Sequence, residues 1–557
     1  MVKQRGVPAD VGGEPGFAIR NARSAELIQV PWEGSTTMAN LFGQSCKKYS
    51  SNKFLGTRKI ISREFLAGSD GREFEKLHLG EYEWETWQTL ERACNFASGL
   101  VRFGHQSDSR VAIFSDTRAE WLIAFQGCFR QNLTVVTIYA SLGDDALVHS
   151  LNETEVSTLV CESKQLKKLA SISSSLKTIR HVIYFEDHGV TIGPSVLDDV
   201  GAWKVSSFSE IQKLGRENPV PPSLPSIADA ALIMYTIGST GLPKGVIMPH
   251  ESVIFTYYGA DTKSQYQLCI HGVFASCSLA HVYELESETV MMTAGCAIGY
   301  SSPLTLTDTS SKIKKGTKGD ASALKPTLLV AVPAIIDRIR DGVSKKVEEK
   351  GGIAKKLFSW GYKRTKSSRR KLNVRNLLGG NVRHSLCGGA PLSCDSQRFI
   401  SICMGAIVSM AYGMTETCAG ACFTDPDDPS VGRVGPPLPC CHIKHHATTM
   451  VSADPFKSYC VALIVPACKE LEWAQGAGIQ YEDFSRLCDE REAVSEVHRE
   501  LSKLAKSARL DKFEIPAKIK LLPDPWTPET GLVTAALKLK REQIKAKFKD
   551  ELQELYK

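Results

Sequence analysis

From Arg110 to about Phe185, short runs of β-branched and other apolar residues alternate with longer segments of mixed polarity. Val111-Ala112-Ile113-Phe114 contains no polar member, the pattern of a strand covered on both faces. Ala119 to Arg130 reads as an amphipathic helix. Thr134 to Ile138 and Gly143 to Leu151 repeat the strand–helix pair. Ser157 to Cys161, a short helix and His181 to Phe185 continue the series. Strands separated by helices predict right-handed βαβ units on a parallel sheet.

Asn218 to Ser226 carries four prolines and is expected to be an extended linker. A second α/β block then runs from Ala230 to about Pro439. Beyond Ala447 the pattern changes to a strand-like Tyr459 to Val465, a charged helical stretch from Tyr481 to Leu510, a Pro-rich loop from Pro516 to Pro528, and a basic helix from Leu537 onward. The expected fold is therefore α/β: a large N-terminal domain of βαβ-layered sheets with a small α+β C-terminal domain. The divisions are a partly irregular N-terminal extension over 1–80, the main domain over 81–440, and the small domain over 447–557.

Composition narrows the class without deciding it. Hydrophobic residues are 43% and charged residues 23% of 557, as in a soluble globular protein and unlike a disordered chain. A formal charge of +7 suits an anionic ligand or an acidic membrane surface without demanding nucleic acid. Seventeen cysteines lie scattered, mostly inside apolar runs, which fits a reducing compartment. The polar, Gly- and Pro-rich stretch from Met1 to Gly16 shows no readable targeting pattern. The longest apolar stretches, Val290–Ile298 and Leu328–Ile336, fall short of the ~20 residues needed to span a bilayer, so membrane contact would be peripheral.

The strongest local signal is Tyr235 to Gly245, YTIGSTGLPKG, behind the strand-like Ala230 to Met234. Glycines admit a close ligand, free N–H groups and hydroxyls can surround a phosphate, and Lys244 adds a point charge. The glycine spacing is not that of a Walker A loop. By itself such a loop is either a phosphate cradle or an ordinary strand turn. Two further motifs follow in order: Gly388-Gly389-Ala390-Pro391 and Tyr412-Gly413-Met414-Thr415-Glu416-Thr417.

Together the three motifs resemble the adenylate-forming (AMP-binding) superfamily, which includes acyl-CoA synthetases, luciferases and peptide-synthetase adenylation domains. Ala280-His281-Val282-Tyr283-Glu284, Gly299 to Asp308, the lysine-rich Lys312 to Asp320 and the ending Gly531 to Arg541 are similar to its long-chain acyl-CoA synthetase branch. The resemblance implies activation of a long-chain fatty acid with ATP, Mg²⁺ and coenzyme A. Carboxylate attack on the α-phosphate gives an acyl-adenylate and pyrophosphate, and the thiol of coenzyme A then displaces AMP.

Carried over by motif, Ser239, Thr240, Gly241 and Lys244 would hold the β- and γ-phosphates, and Thr415 the α-phosphate. Glu416, with Thr240, would bind Mg²⁺, a hard cation that takes oxygen ligands. Gly389, Ala390, Tyr412 and Gly413 would line the adenine slot, His281 would sit near the acyl carboxylate, and Lys538 would stabilise charge during adenylation. Residue by residue, blander roles stand beside these: a solvated loop carboxylate for Glu416, a satisfied core histidine for His281, and a solvated basic face for Lys538. The resemblance also implies an intracellular protein, cytosolic or peripheral on the endoplasmic reticulum or plastid envelope.

The pattern departs from the family in two places. Ile237 stands where the family usually has a hydroxyl residue; losing that donor would weaken phosphate binding by ~1–3 kcal/mol. After Cys440-Cys441-His442-Ile443-Lys444 the family continues through a stretch the size of a small domain, carrying an aspartate for the ribose hydroxyls and an Asp-Arg hinge. Here Lys444 passes directly to His445-His446-Ala447, and the chain's Asp-Arg, Asp337-Arg338, lies far upstream. An impaired ligase is expected. The alternative is a catalytically inactive variant acting as a nucleotide-, acyl-chain- or membrane-surface-binding protein.

Two other features invite functional readings. Cys440, Cys441, His442, His445 and His446 are dense enough for a metal site, yet adjacent cysteines do not easily take two corners of a tetrahedron and the C-x₂-C spacing is absent. The basic segment 344–375, with Phe358, Trp360 and Tyr362 interleaved, is either a solvated helical face or a peripheral membrane contact. No nucleic-acid partner is expected, because no recognised RNA or DNA module surrounds it.

Overall fold

The alternating runs between Arg110 and Ser207 fold as five parallel strands, with the 110–114 strand between those at 134–138 and 158–162 and the rest following in chain order. The structure is a computed structural model that describes residues 5–9, 17–24, 26–27, 34–67, 73–107, 109–187, 203–236, 242–260, 273–275, 277–349, 351–352, 356, 378–425, 428, 430–445, 460–465, 484–507, 515–524, 526, 530–532 and 541–556. Numbered along the chain, the first strands are β1 (Gly6–Ala9), β2 (Phe17–Asn21), β3 (Lys53–Ala67) and β4 (Glu73–Thr86). Then come β5 (Arg110–Phe114), β6 (Thr134–Ile138), β7 (Thr158–Glu162), β8 (His181–Phe185) and β9 (Lys204–Ser207). The second half of the main unit adds β10 (Ala230–Thr236), β11 (Lys244–Pro249), β12 (Val273–Ala275), β13 (Ile298–Tyr300), β14 (Leu328–Ala331) and β15 (His384–Cys387). The series ends with β16 (Ile407–Tyr412), β17 (Cys422–Phe423), β18 (Ile443–His445), β19 (Val461–Ile464) and β20 (Lys518–Leu521).

Two large sheets result. One has the order β11-β10-β6-β5-β7-β8-β9, and the other β17-β16-β15-β14-β12-β13-β3-β4. Pairing is parallel throughout except at β10–β11, β16–β17 and β3–β4. Between the sheets lies one apolar core, built from Val111, Ile113, Val135, Leu232 and Met234 on one side and Phe54, Ile298, Leu328 and Val330 on the other. Period-two alternation then sends Leu329 and Ala331 to the opposite face of the second sheet. There they meet Ile336 and Ile339 of the Pro333–Glu349 helix and Ile400 and Met404 of the Cys394–Met404 helix.

Several expectations from sequence need correction. The Pro-rich segment Asn218–Ser226 is extended, but it does not separate two sheets. Strand β10 adds parallel to β6, so the start of the second block completes the first sheet. The Ala119–Phe129 helix is not amphipathic in place: every one of its residues except the half-buried Glu120 is buried, because it lies within the layer between the sheets. The first 80 residues are not a separate extension either. The Met38–Lys48 helix contributes Met38, Leu41 and Phe42 to the main core, and β3 and β4 form one edge of the second sheet.

The chain divides into two compact units, the first formed by Met1–Thr236 and Pro243–His446, the second mainly by Ala447–Lys557. In the second unit β19 pairs parallel with β20, and Ile519 and Leu521 pack with Cys488, Val494, Val497 and Leu501 of the Phe484–Asp489 and Arg491–Ser507 helices. Asp337 of the sole Asp-Arg pair sits in the Pro333–Glu349 helix of the first unit and accepts a hydrogen bond from Ser396 Oγ at 2.5 Å. That position excludes it from any hinge at residue 446. Among the described residues no helix is long and apolar enough to cross a membrane, and none of the cysteines forms a disulfide.

Candidate functional site

Parallel β15 and β16 pair with Cys387 opposite Met410, so the segments that follow them emerge side by side at the carboxyl edge of the second sheet. Those segments are Gly388–Pro391 and Gly413–Thr417. Parallel open sheets characteristically receive ligands at such an edge, because the loops there are free of ladder pairing. Gly389 has φ +82°, a conformation open to glycine, and is partly exposed; Ala390 is exposed. A Cβ on Gly388 would stand 2.9 Å from the Tyr283 ring and 3.3 Å from Ala411 Cβ, so this residue rests directly on Tyr283.

The second segment is a tight turn held by its own backbone. Cys418 N donates to Thr415 O at 3.0 Å, Ala419 N to Met414 O at 3.0 Å, and Ala421 N to Tyr412 O at 2.8 Å. Thr417 braces it from inside: its Oγ1 accepts from Met414 N at 2.9 Å. The fold back is close enough that a Cβ on Gly413 would lie 1.3 Å from Ala419 O. The turn thereby presents Tyr412, Met414 and Glu416 outward, all exposed, with Thr415 partly buried between them. Glu416 has neither an ion pair nor a hydrogen bond among the described residues.

Lys244 opens β11 opposite Thr236, whose Oγ1 donates to Lys244 O at 3.3 Å, and β11 runs beside the Thr415–Thr417 turn. Lys244 is exposed and has no acidic partner among the described residues. The fold thus gathers Lys244, Gly389, Ala390, Tyr412, Gly413, Thr415 and Glu416. Ser239, Thr240, Gly241 and Lys538, with Ile237, lie outside the described residues. So do most of the basic segment 344–375 and His446 of the Cys/His cluster. Cys441 packs inward with its thiol toward Ala421 O at 3.4 Å.

His281 has a structural duty. It is the N-cap of the Val282–Thr293 helix, with Nδ1 accepting the Tyr283 N–H at 3.1 Å and the ring edge-on to Tyr139. The helix it starts carries three carboxyls that the sequence reading did not single out: Glu284, Glu286 and Glu288, at 1%, 2% and 1% exposure. Residues 284 and 288 share a helix face while 286 points oppositely, so no orientation of the helix could keep all three in water. Each has a carboxyl oxygen without a partner among the described residues. Burial pushes Glu284 up to about 8 and raises Glu286 and Glu288 well above the ordinary carboxylate range. Burial thus favours the protonated form of all three. Glu286 lies directly beneath the motif turn, since a Cβ on Gly420 would come within 2.7 Å of its Oε1. The alternating Glu284-x-Glu286-x-Glu288 spacing was the available signal, but it mimics a half-solvated strand.

A cleft of about 360 Å³ between the Thr89–Arg102 and Phe208–Glu217 helices is lined by Glu91, Arg92, Gln212, Lys213 and Arg216. Its charged lining does not suit an acyl chain.

The sequence profile of the AMP-binding enzyme family matches residues 67–446. The chain belongs to that family. Within it the chain is 50% identical to the long chain acyl-CoA synthetase 8 of Arabidopsis thaliana, the match covering all of this chain and 93% of that protein. It is also 25% identical to the long-chain-fatty-acid–CoA ligase 1 of Schizosaccharomyces pombe, over 96% of this chain and 97% of that one. The adenylation domain of a carboxylate reductase from Mycobacterium chelonae shares the fold with a TM-score of 0.69 at 16% identity, covering 95% of this chain and 94% of that one. These likenesses establish a long-chain acyl-CoA synthetase lineage and an adenylate-forming fold. The match to the Arabidopsis protein runs over 673 positions whereas this chain has 557 residues, which leaves about 116 positions without a residue here.

Proposed function

We propose that the chain activates long-chain fatty acids to acyl-CoA through an acyl-adenylate, with activity reduced by the missing ribose-binding aspartate and hinge. The observation that carries this reading is the convergence of Lys244, the Gly388–Pro391 segment and the Thr415–Glu416 turn at one sheet edge. In the reaction a carboxylate oxygen bonds to the α-phosphorus of ATP and pyrophosphate leaves with the α–β bridging oxygen. The coenzyme A thiolate then attacks the acyl carbonyl, and AMP departs with the bridging oxygen.

Each residue has a role suited to its surroundings. Glu416 is exposed and unengaged among the described residues, so its carboxylate fits a Mg²⁺ that arrives with the nucleotide and neutralises phosphate charge. Thr240, outside the described residues, would complete that ligation. Lys244 supplies a fixed positive charge for the phosphates, joined by Ser239 and Gly241. Thr415 would donate to the α-phosphate, and Gly389, Ala390, Tyr412 and Gly413 would flank the adenine. His281 holds the helix that carries Tyr283 and so supports the Gly388 segment, whatever it contributes at the acyl carboxylate. Lys538 is the residue assigned to stabilise charge during adenylation. The deficit of about 116 positions supports the impairment, because losing a charge-assisted ribose contact and a rigid-body hinge weakens both half-reactions.

Hydroxamate trapping with oleate, ATP and Mg²⁺ tests adenylation directly. Acyl-hydroxamate is expected, with Glu416→Gln raising the Mg²⁺ concentration needed for half-maximal signal by roughly tenfold. No hydroxamate and no ATP affinity in a folded protein would refute the activity. An ATP–pyrophosphate exchange rate equal to that of an intact relative would refute the impairment. A cytosolic place, or a peripheral one on the endoplasmic reticulum or plastid envelope through the basic segment 344–375, belongs to the same proposal and is read by membrane fractionation.

A further inference from the structure

Strands β3 and β4 are 15 and 14 residues long, far longer than their neighbours in the sheet. Only Leu55 and Gly56 of β3 pair with β13; from Arg58 outward the two strands form a ribbon paired with each other, braced on one edge by the Leu77–Ile313 bridge. A two-stranded ribbon is marginal in water, and an apolar end on it calls for something to cover it. Here Ile61, Phe65, Leu66 and Phe74 are 55%, 61%, 44% and 51% exposed.

The register decides what kind of surface this is. Leu66 lies opposite Phe74 on one face and Phe65 on the other, while Ile61 sits at the register shift between Ile60 and Ser62, its side chain over Gly80. Apolar side chains therefore project from both faces of the same end. A folded protein docking on a ribbon covers one face and leaves the other wet, whereas an apolar medium entered end-on covers both. The neighbouring charges agree. Glu75 is paired with Arg63 and Lys312, and Glu64 with Lys314, which neutralises the acids behind the apolar end. Lys76, whose ammonium donates to Ser311 O at 2.5 Å, and the exposed Lys315 have no acidic partner among the described residues.

We propose that the distal β3–β4 ribbon is a wedge that enters the headgroup region of an anionic phospholipid bilayer, with Ile61, Phe65, Leu66 and Phe74 in the acyl boundary and Lys76 and Lys315 against lipid phosphates. The edge strands' open N–H and C=O groups limit entry to that wet boundary layer, where they keep their water. The wedge stands at the opposite end of its sheet from β15 and β16, and the proposal holds whether or not adenylation survives.

The test is sedimentation of the full chain with phosphatidylcholine vesicles, with and without phosphatidylserine. Phe65→Ser/Leu66→Ser/Phe74→Ser should lower partitioning into anionic vesicles by roughly tenfold or more with thermal stability unchanged, since the side chains are already exposed. Lys76→Glu/Lys315→Glu should lose binding to anionic vesicles alone. Hydrogen exchange on the unaltered protein gives a second readout, in which vesicles slow exchange over residues 60–66 and 74–78. Unchanged partitioning of the triple variant would overturn the proposal. So would binding lost only when Lys355, Lys356, Arg369 and Arg370 are neutralised, or a triple variant whose only change is reduced self-association.

Discussion

Glu284→Gln isolates what a buried carboxyl does to the pH dependence of this fold. Glu284 is 1% exposed in the Val282–Thr293 helix, and its Oε2 has no partner among the described residues. Burial pushes its pKa up from 4.5 to about 8, with hydrogen bonds from Cys277 pulling the other way. The unfolded chain releases this proton near pH ~4.3, and the folded chain keeps it. Between those values the native state binds more protons than the unfolded state, so stability falls as pH rises. The contribution is fully present below about pH 4 and is lost as pH climbs through about 8. At ~1.36 kcal/mol per unit, a shift of this size is on the order of 5 kcal/mol. That is a large part of the ~5–15 kcal/mol by which domains are stable. Glutamine keeps the shape and the neutral state but cannot ionise. Thermal melts from pH 5 to 8.5 at constant ionic strength should show the variant and the unaltered chain melting together at pH 5. The variant should pull ahead by several degrees at pH 8, and by more when Glu288→Gln is added. A melting difference independent of pH would refute the claim that the fold holds this carboxyl neutral.

Two further outcomes follow from local geometry. Arg58→Met should cost about 3–5 kcal/mol in chemical denaturation, because Arg58 and Asp320, both nearly buried, pair at 2.9 Å and the change strands the Asp320 charge; Arg58→Met/Asp320→Leu should recover most of that loss. Gly413→Ala should abolish acyl-hydroxamate formation and lower stability by about 2 kcal/mol or more, since its Cβ would overlap the backbone carbonyl of Ala419; an active, equally stable variant would contradict the turn geometry.

The candidate nucleotide site was legible to the extent that it is made of contiguous motifs. Gly388–Pro391 and Tyr412–Thr417 carry their chemistry in the local string, and the second is closed by backbone bonds from residues 418–421 back to residues 412–415. Tyr283 beneath Gly388 and Glu286 beneath Gly420 were not legible, because contacts across more than a hundred residues leave no local period. His281 was readable as a histidine on an apolar stretch, but its capping of the helix shows only once the helix start is known.

The local pattern of apolar and polar residues determined where strands and helices lie: β5, β6 and β8 fall within a residue of the runs that announce them. Tertiary structure alone decided which surfaces those elements share. It set β10 beside β6, drew Met38–Thr86 into the main unit, and closed water out around the Ala119–Phe129 helix and the three glutamates of the Val282–Thr293 helix. The physical reason is that backbone periodicity is a property of neighbours in sequence, whereas burial is conferred by whichever distant segments arrive to cover a face.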